Sequence, residues 1–109
     1  MRLLVIDDDK IVLTHLKIYS DKIGLEFYGA ESLESAASLL EKDFFDLVLV
    51  DANLNGRKVL ESDLQLVSKK CNRLVVISAD FDEIPGWEFL QKPFSLEQFQ
   101  AFISNLKKG

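Results

Sequence analysis

The residues best suited to chemistry in this chain stand at the ends of apolar runs. Asp7 and Asp8 follow Leu3–Ile6, Asp51 follows Leu47–Val50, Ser78 follows Leu74–Ile77, and Lys92 lies just beyond Trp87–Leu90. If these runs are parallel strands, their carboxyl ends open onto one crevice, which is where such sheets place their chemistry. Three carboxylates meeting there would repel one another and hold their protons too tightly unless a cation neutralised them. Mg2+ suits the set, because it prefers oxygen ligands, keeps several waters, and takes one or two protein carboxylates together with phosphate oxygens. An aspartate beside such an ion can attack phosphorus to form an acyl phosphate, the metal spreading the charge of the transferring group. A lysine ammonium and a hydroxyl on neighbouring strands would hold the remaining phosphoryl oxygens.

The elements that must position these groups follow from hydrophobic spacing. Leu3–Ile6, Leu47–Val50 and Leu74–Ile77 read as buried strands, and Leu25–Tyr28 and Trp87–Leu90 as weaker ones. Between them, Val12, Leu16, Tyr19 and Ile23 share one helical face, as do Leu33, Ala36, Ala37 and Leu40, and then Leu60, Leu64, Val67 and Cys71. A last helix carries Leu96, Phe99, Ile103 and Leu106 behind a Ser95-x-x-Gln98 capping box. Strands alternating with helices predict a doubly wound α/β domain whose parallel sheet is covered on both faces, hence the continuously apolar runs. No repeat or linker divides residues 1–109, so one domain is expected. One crossover is short. Ser78–Gly86, Ser-Ala-Asp-Phe-Asp-Glu-Ile-Pro-Gly, falls below the roughly 10–12 residues that a crossover with its helix needs, and Pro85-Gly86 breaks it further. This predicts a loop with at most one helical turn.

Four strings in order, Leu-Val-Ile-Asp-Asp-Asp (4–9), Asp-Leu-Val-Leu-Val-Asp (46–51), Val-Val-Ile-Ser-Ala (75–79) and Gln-Lys-Pro-Phe (91–94), resemble the response-regulator receiver family of two-component signalling, including its chemotaxis-type members. The resemblance spans nearly the whole chain. It implies a flavodoxin-like, five-stranded parallel sheet in the order 2-1-3-4-5, with the usual fourth helix shortened or missing. Asp51 would be the phosphoacceptor, Asp8 a direct Mg2+ ligand, Asp7 a ligand acting largely through water, and the Asn53 backbone carbonyl a further ligand. Ser78 matches the switch hydroxyl, Lys92 the family lysine with a cis bond to Pro93, and Phe89 the switch aromatic. Asn53 and Asp80 match positions that tune loss of the phosphoryl group, and their polarity predicts a short-lived phosphoaspartate. Asn55-Gly56 replaces the proline and glycine usual after the phosphoacceptor; it remains a plausible turn. The short crossover removes part of the family's usual output face.

Other signals bound the reading. Eighteen acidic against thirteen basic residues give a net charge of -5, which disfavours nucleic acid and anionic membrane surfaces as partners. Lone Cys71 excludes an internal disulfide, and the N-terminus is too short in apolar residues for a signal peptide; a cytoplasmic protein is expected. Asp9 reads as the negative start of the first helix. His15 has no supporting cluster and reads as structural or surface. Phe81 and Trp87 flank the short crossover and would line a partner site if exposed. The family reading implies a histidine kinase or histidine phosphotransfer protein as donor, a downstream protein as receiver of the signal, and a homodimer as one possible assembly. The domain would catalyse its own phosphorylation and dephosphorylation without being an enzyme in the ordinary sense. Two alternatives stay open: a phosphorylation-independent pseudo-receiver that binds protein, and an aspartyl phosphohydrolase, whose usual second aspartate is here Asn53. No Gly-x-Gly-x-x-Gly supports a dinucleotide site.

Overall fold

Leu3, Leu4, Val5 and Ile6 are all fully buried, as are Leu47 through Val50 and Val75 through Ile77, because each strand is covered on both faces. The computed structural model describes residues 1–80 and 84–108. Its elements run β1 (Arg2–Ile6), α1 (Lys10–Ile23), β2 (Glu26–Ala30), α2 (Leu33–Lys42), β3 (Phe45–Asp51), β4 (Asn53–Leu54), β5 (Arg57–Lys58), α3 (Glu61–Ser68), β6 (Cys71–Ser78), β7 (Glu88–Gln91) and α4 (Leu96–Lys108). Five strands form one sheet in the order β2-β1-β3-β6-β7, every neighbouring pair parallel. Counted among themselves these strands stand 2-1-3-4-5, as the resemblance implies. Alternating side chains sort the core into two layers: Leu4, Ile6, Val48, Val50 and Val76 meet α2 and α3, while Leu3, Val5, Leu47, Leu49, Val75 and Ile77 meet α1 and α4.

Helix starts follow local chemistry. Asp9 caps α1, its carboxylate accepting from the Ile11 N–H at 2.9 Å, and Gly24 at φ 78° ends the helix in the left-handed region. The α4 capping box forms in full: the Ser95 N–H donates to Gln98 Oε1 at 2.8 Å and the Gln98 N–H to Ser95 Oγ at 3.1 Å. Three readings of the helical faces need correction. Leu60 caps α3 from outside and is 63% exposed, and Cys71 opens β6, so α3 is shorter than its apolar period suggested. Ala37 lies on the exposed side of α2. Leu25 and Trp87 just precede the strands assigned to them.

Asn55-Gly56 does more than turn the chain. Both residues have positive φ, 53° and 77°, and they join β4 to β5 as a two-residue antiparallel hairpin, the geometry for which Asn-Gly is the strongest short signal. Among the described residues no helix separates β6 from β7: Ala79 and Asp80 form a bend and Pro85-Gly86 a turn. The part of the short-crossover reading that concerns residues 81–83, with the partner role of Phe81, lies outside the described residues. Among the described residues no helix is long and apolar enough to cross a membrane.

Neighbouring phenylalanines separate burial from composition. Phe45 is fully buried, edge-on to Tyr28 with ring centroids 5.3 Å apart, whereas Phe44 is 54% exposed. Phe45→Ala should lose about 3–5 kcal/mol of unfolding free energy, and Phe44→Ala less than about 0.5 kcal/mol. Urea titration of both variants measures the contrast; equal losses would contradict this packing.

Candidate functional site

The two central strands end in carboxylates. β1 and β3 are hydrogen-bonded neighbours with Ile6 opposite Val50, so Asp7 and Asp51 emerge side by side at the carboxyl edge, and Asp8 follows. One ligand oxygen from each of Asp7, Asp8 and Asp51 can be chosen such that all lie within 4.8 Å of one another. Asp7 and Asp51 are buried and Asp8 is exposed, which leaves the cluster open to solvent on one side.

Lys92 completes this cluster. Its ammonium donates to Asp7 Oδ2 at 2.8 Å and to Asp51 Oδ2 at 3.2 Å, with only 11% of the side chain exposed. The Lys92 backbone N–H donates to the Ser78 carbonyl at 2.7 Å, extending the parallel β6–β7 ladder by one rung beyond Gln91. The Lys92–Pro93 bond is cis, as the family resemblance implies. The remaining carboxylate oxygens take local donors: Asp7 Oδ1 accepts from the Asp9 N–H at 2.9 Å, and Asp51 Oδ1 from the Asn53 N–H at 3.2 Å.

Electrostatics fit this crowding. Burial pushes the Asp51 carboxyl up to about 6, with the Asp7 charge adding to the rise and the Asn53 N–H and the Lys92 ammonium opposing it. Burial alone would lower the Lys92 pKa, but the hydrogen bond and charge of Asp7, followed by those of Asp51, hold it above its ordinary value. The pocket contains hard oxygen donors and one ammonium. Such a set suits a hard, oxygen-preferring cation better than a soft metal.

The other candidates take graded positions. Ser78 is buried at the end of β6, its Oγ accepting from the Asp80 N–H at 3.1 Å, so its own O–H is left to donate elsewhere. Asn53 is half-buried in the hairpin, and the Asp80 side chain is exposed. Phe89 in β7 is half-buried against the α2–α3 layer of the core. His15 is exposed and stacks on Tyr19 with centroids 6.3 Å apart. Cys71 is buried, and burial pushes its thiol up to about 11, which makes it a poor nucleophile. Sequence reasoning missed the bracing of the phosphoacceptor candidate by the hairpin. Val59 N–H donates to the Ala52 carbonyl and Ala52 N–H to the Ile77 carbonyl, each at 2.8 Å, so the residue after Asp51 is held from both sides. Asn55-Gly56 was the available signal.

No protein-family model matches the chain. The chain is 29% identical over 119 residues to the transcriptional regulatory protein MalR of Bacillus subtilis (strain 168), covering 99% of this chain and 51% of MalR. It is 25% identical over 117 residues to the sensory transduction protein LytT of the same bacterium, covering 99% of this chain and 48% of LytT. The chain spans about half the length of the curated relatives it matches. Among solved structures, a two-component response regulator from Clostridium difficile superimposes with a TM-score of 0.86 at 19% identity, covering 99% of this chain and 96% of that one. The chain therefore has the doubly wound, five-stranded fold seen in response-regulator receiver domains, with a sequence likeness to both Bacillus subtilis regulators that runs almost end to end along it.

Proposed function

We propose that the domain takes a phosphoryl group on Asp51 in the presence of Mg2+ and signals through protein contacts. The observation that carries this reading is the Lys92 ammonium, placed on both Asp7 and Asp51 inside a converging set of three carboxylates. Asp8, Asp51 and the Asn53 backbone carbonyl would ligate the ion directly. Both Asp7 oxygens are already engaged, by Asp9 and by Lys92, which supports a role for Asp7 through water. Bound Mg2+ would supply charge neutralisation on the transferring phosphoryl oxygens.

The rest is the work of the chain's own residues. An Asp51 oxygen attacks phosphorus while the bond from phosphorus to the donor nitrogen breaks, and the electron pair leaves with the donor imidazole. Asp51 thereby becomes an acyl phosphate. Lys92 then pairs with a phosphoryl oxygen, and the Ser78 hydroxyl donates to another, with Phe89 following its movement. The donor is a histidine kinase or histidine phosphotransfer protein, and the site of action the cytoplasm. Hydrolysis reverses the modification when water reaches phosphorus past Asn53 and Asp80, both polar and only partly covered.

Incubation with Mg2+ and acetyl phosphate should give one phosphoryl adduct by intact-protein mass spectrometry, absent in Asp51→Asn and after chelation of the metal. A wild-type chain that stays unmodified at saturating donor would favour a phosphorylation-independent binding module. Once formed, the adduct should decay several-fold more slowly in Asn53→Leu and Asp80→Leu than in the wild type; unchanged decay in both would remove these residues from the hydrolytic path. Stability offers a third check. Because the Asp51 carboxyl sits at about 6 in the folded chain, folding favours its protonated form, so the native state loses stability as pH rises from roughly 4 to 6 and stays penalised above. Without divalent cation, Asp51→Asn should therefore be more stable than wild type by about 1–3 kcal/mol at pH 7.5. The difference should vanish near pH 4, and Mg2+ should raise the melting temperature of the wild type alone. A gap independent of pH would contradict the assignment.

A further inference from the structure

The sheet face opposite α1 and α4 carries a feature separate from the acidic pocket. On the first face α1 and α4 pack against each other, whereas α2 and α3 leave between them an open groove of about 380 Å3. Leu33 and Ala37 of α2 form one apolar wall, Leu66 and Val67 of α3 the other. Leu66 is 65% exposed, which for a leucine on a two-turn helix is an apolar surface without a covering partner. Ala37, too small to cross the gap, keeps the groove open. The α2 wall extends from Leu33 to Glu41, about 12 Å at the rise of an α-helix. That is the length over which a docked helix inserts side chains at i, i+3 or i+4, and i+7.

Charge selects among possible occupants. Three acids, Glu34, Glu41 and Asp63, line the groove against one base, Lys70, a local balance of -3 + 1 = -2. A second copy of the chain, itself at -5, would set these acids against their own kind, which is unfavourable. A helix with lysine or arginine on both sides of an apolar stripe would pair with acids on both walls. Beyond Leu33 and Asp63 the groove runs into a second cleft where Arg57 and Lys58 of the hairpin balance Glu34 and Asp63, so the negative charge fades at that end and gives the occupant a direction.

We propose that the α2–α3 groove is a docking site for an amphipathic helix of a partner protein, apolar along its buried stripe and basic on its flanks. The site uses none of the residues of the acidic pocket, so it stands independently of phosphoryl transfer to Asp51. The test is titration of the 15N-labelled chain with a synthetic helical peptide carrying a leucine stripe flanked by lysines, beside a counterpart with glutamate flanks. The lysine peptide should bind saturably, with amide shifts centred on Leu33, Ala37, Leu66 and Val67, and at least about tenfold more tightly than the glutamate peptide. Leu66→Glu and Ala37→Trp, both at exposed positions, should each weaken binding about tenfold or more while leaving the far-face resonances unmoved. The double variant Glu34→Lys, Glu41→Lys should reverse the preference between the two peptides. Shifts centred elsewhere, equal affinity for both peptides, or binding untouched by all three variants would overturn the proposal. So would sedimentation equilibrium revealing a dimer that Leu66→Glu dissolves, since the groove would then belong to a second copy.

Discussion

Asp7 is completely buried, and its charge is met by an ammonium that arrives from the far end of the chain. A buried carboxylate left unpaired costs several kcal/mol, so the fold must bring Lys92 back to β1 across a separation of 85 residues. The sheet order makes this demanding. β7 is three strands from β1 in the order β1-β3-β6-β7, about 14 Å at the usual strand spacing. The Lys92 N–H donates to the Ser78 carbonyl as the last rung of the β6–β7 ladder, and from there the side chain extends across the carboxyl edge to Asp51 and Asp7. That rung ties Ser78 to Lys92 through the backbone and fixes where the lysine side chain starts.

The connection leaving Asp51 is equally constrained. Asn53 donates to the Asp51 carboxylate, and the residue between them is held by hydrogen bonds to β6 and to Val59. The hairpin that closes through Asn55-Gly56 ends against Leu60, the cap of α3. A change of charge at Asp51 is thus a single hydrogen bond from the hairpin, and the hairpin is continuous with α3 and with one wall of the apolar groove. In the usual receiver pattern the crossover after the fourth sheet strand carries a helix; here none lies among the described residues of that crossover. The contiguous route out of the pocket on this face leads through residues 53–60 toward α3.

The sheet and its carboxylate edge were legible because strands buried on both faces leave unbroken apolar runs, and a run that ends in aspartate marks the strand end directly; the strand order came from the family resemblance. Asp9 as the negative start of the first helix and Ser95 with Gln98 as a capping box were legible for a related reason, since each is a local feature of a helix end. The misplaced residues fall where periodicity and burial part company. Leu60 and Cys71 continue the α3 spacing, yet the first is held in extended backbone as the cap and the second is drawn into β6, opposite Phe45. Ala37 carries an apolar side chain on the open side of α2, where only neighbouring helices could have buried it. Pairings such as Lys92 with Asp7 leave no local trace at all; they follow from the sheet order and the path beyond its last strand.

The pocket's charge explains why these parts belong together. Three carboxylates and one ammonium sum to -3 + 1 = -2 when all are ionised. Burial raises the proton affinity of Asp51 above that of an ordinary carboxylate, and the Asp7 charge adds to the rise. A divalent cation would cancel that sum without displacing Lys92, and would favour the ionised, nucleophilic form of Asp51. A phosphoryl group on the same oxygen would restore excess negative charge, now farther out, where Lys92 could meet it only by altering the contacts it makes to Asp7 and Asp51, and the Ser78 hydroxyl by altering its contact with Asp80. Charge on one side chain would then be converted into rearranged hydrogen bonds at the ends of three strands, which is the physical content of a switch.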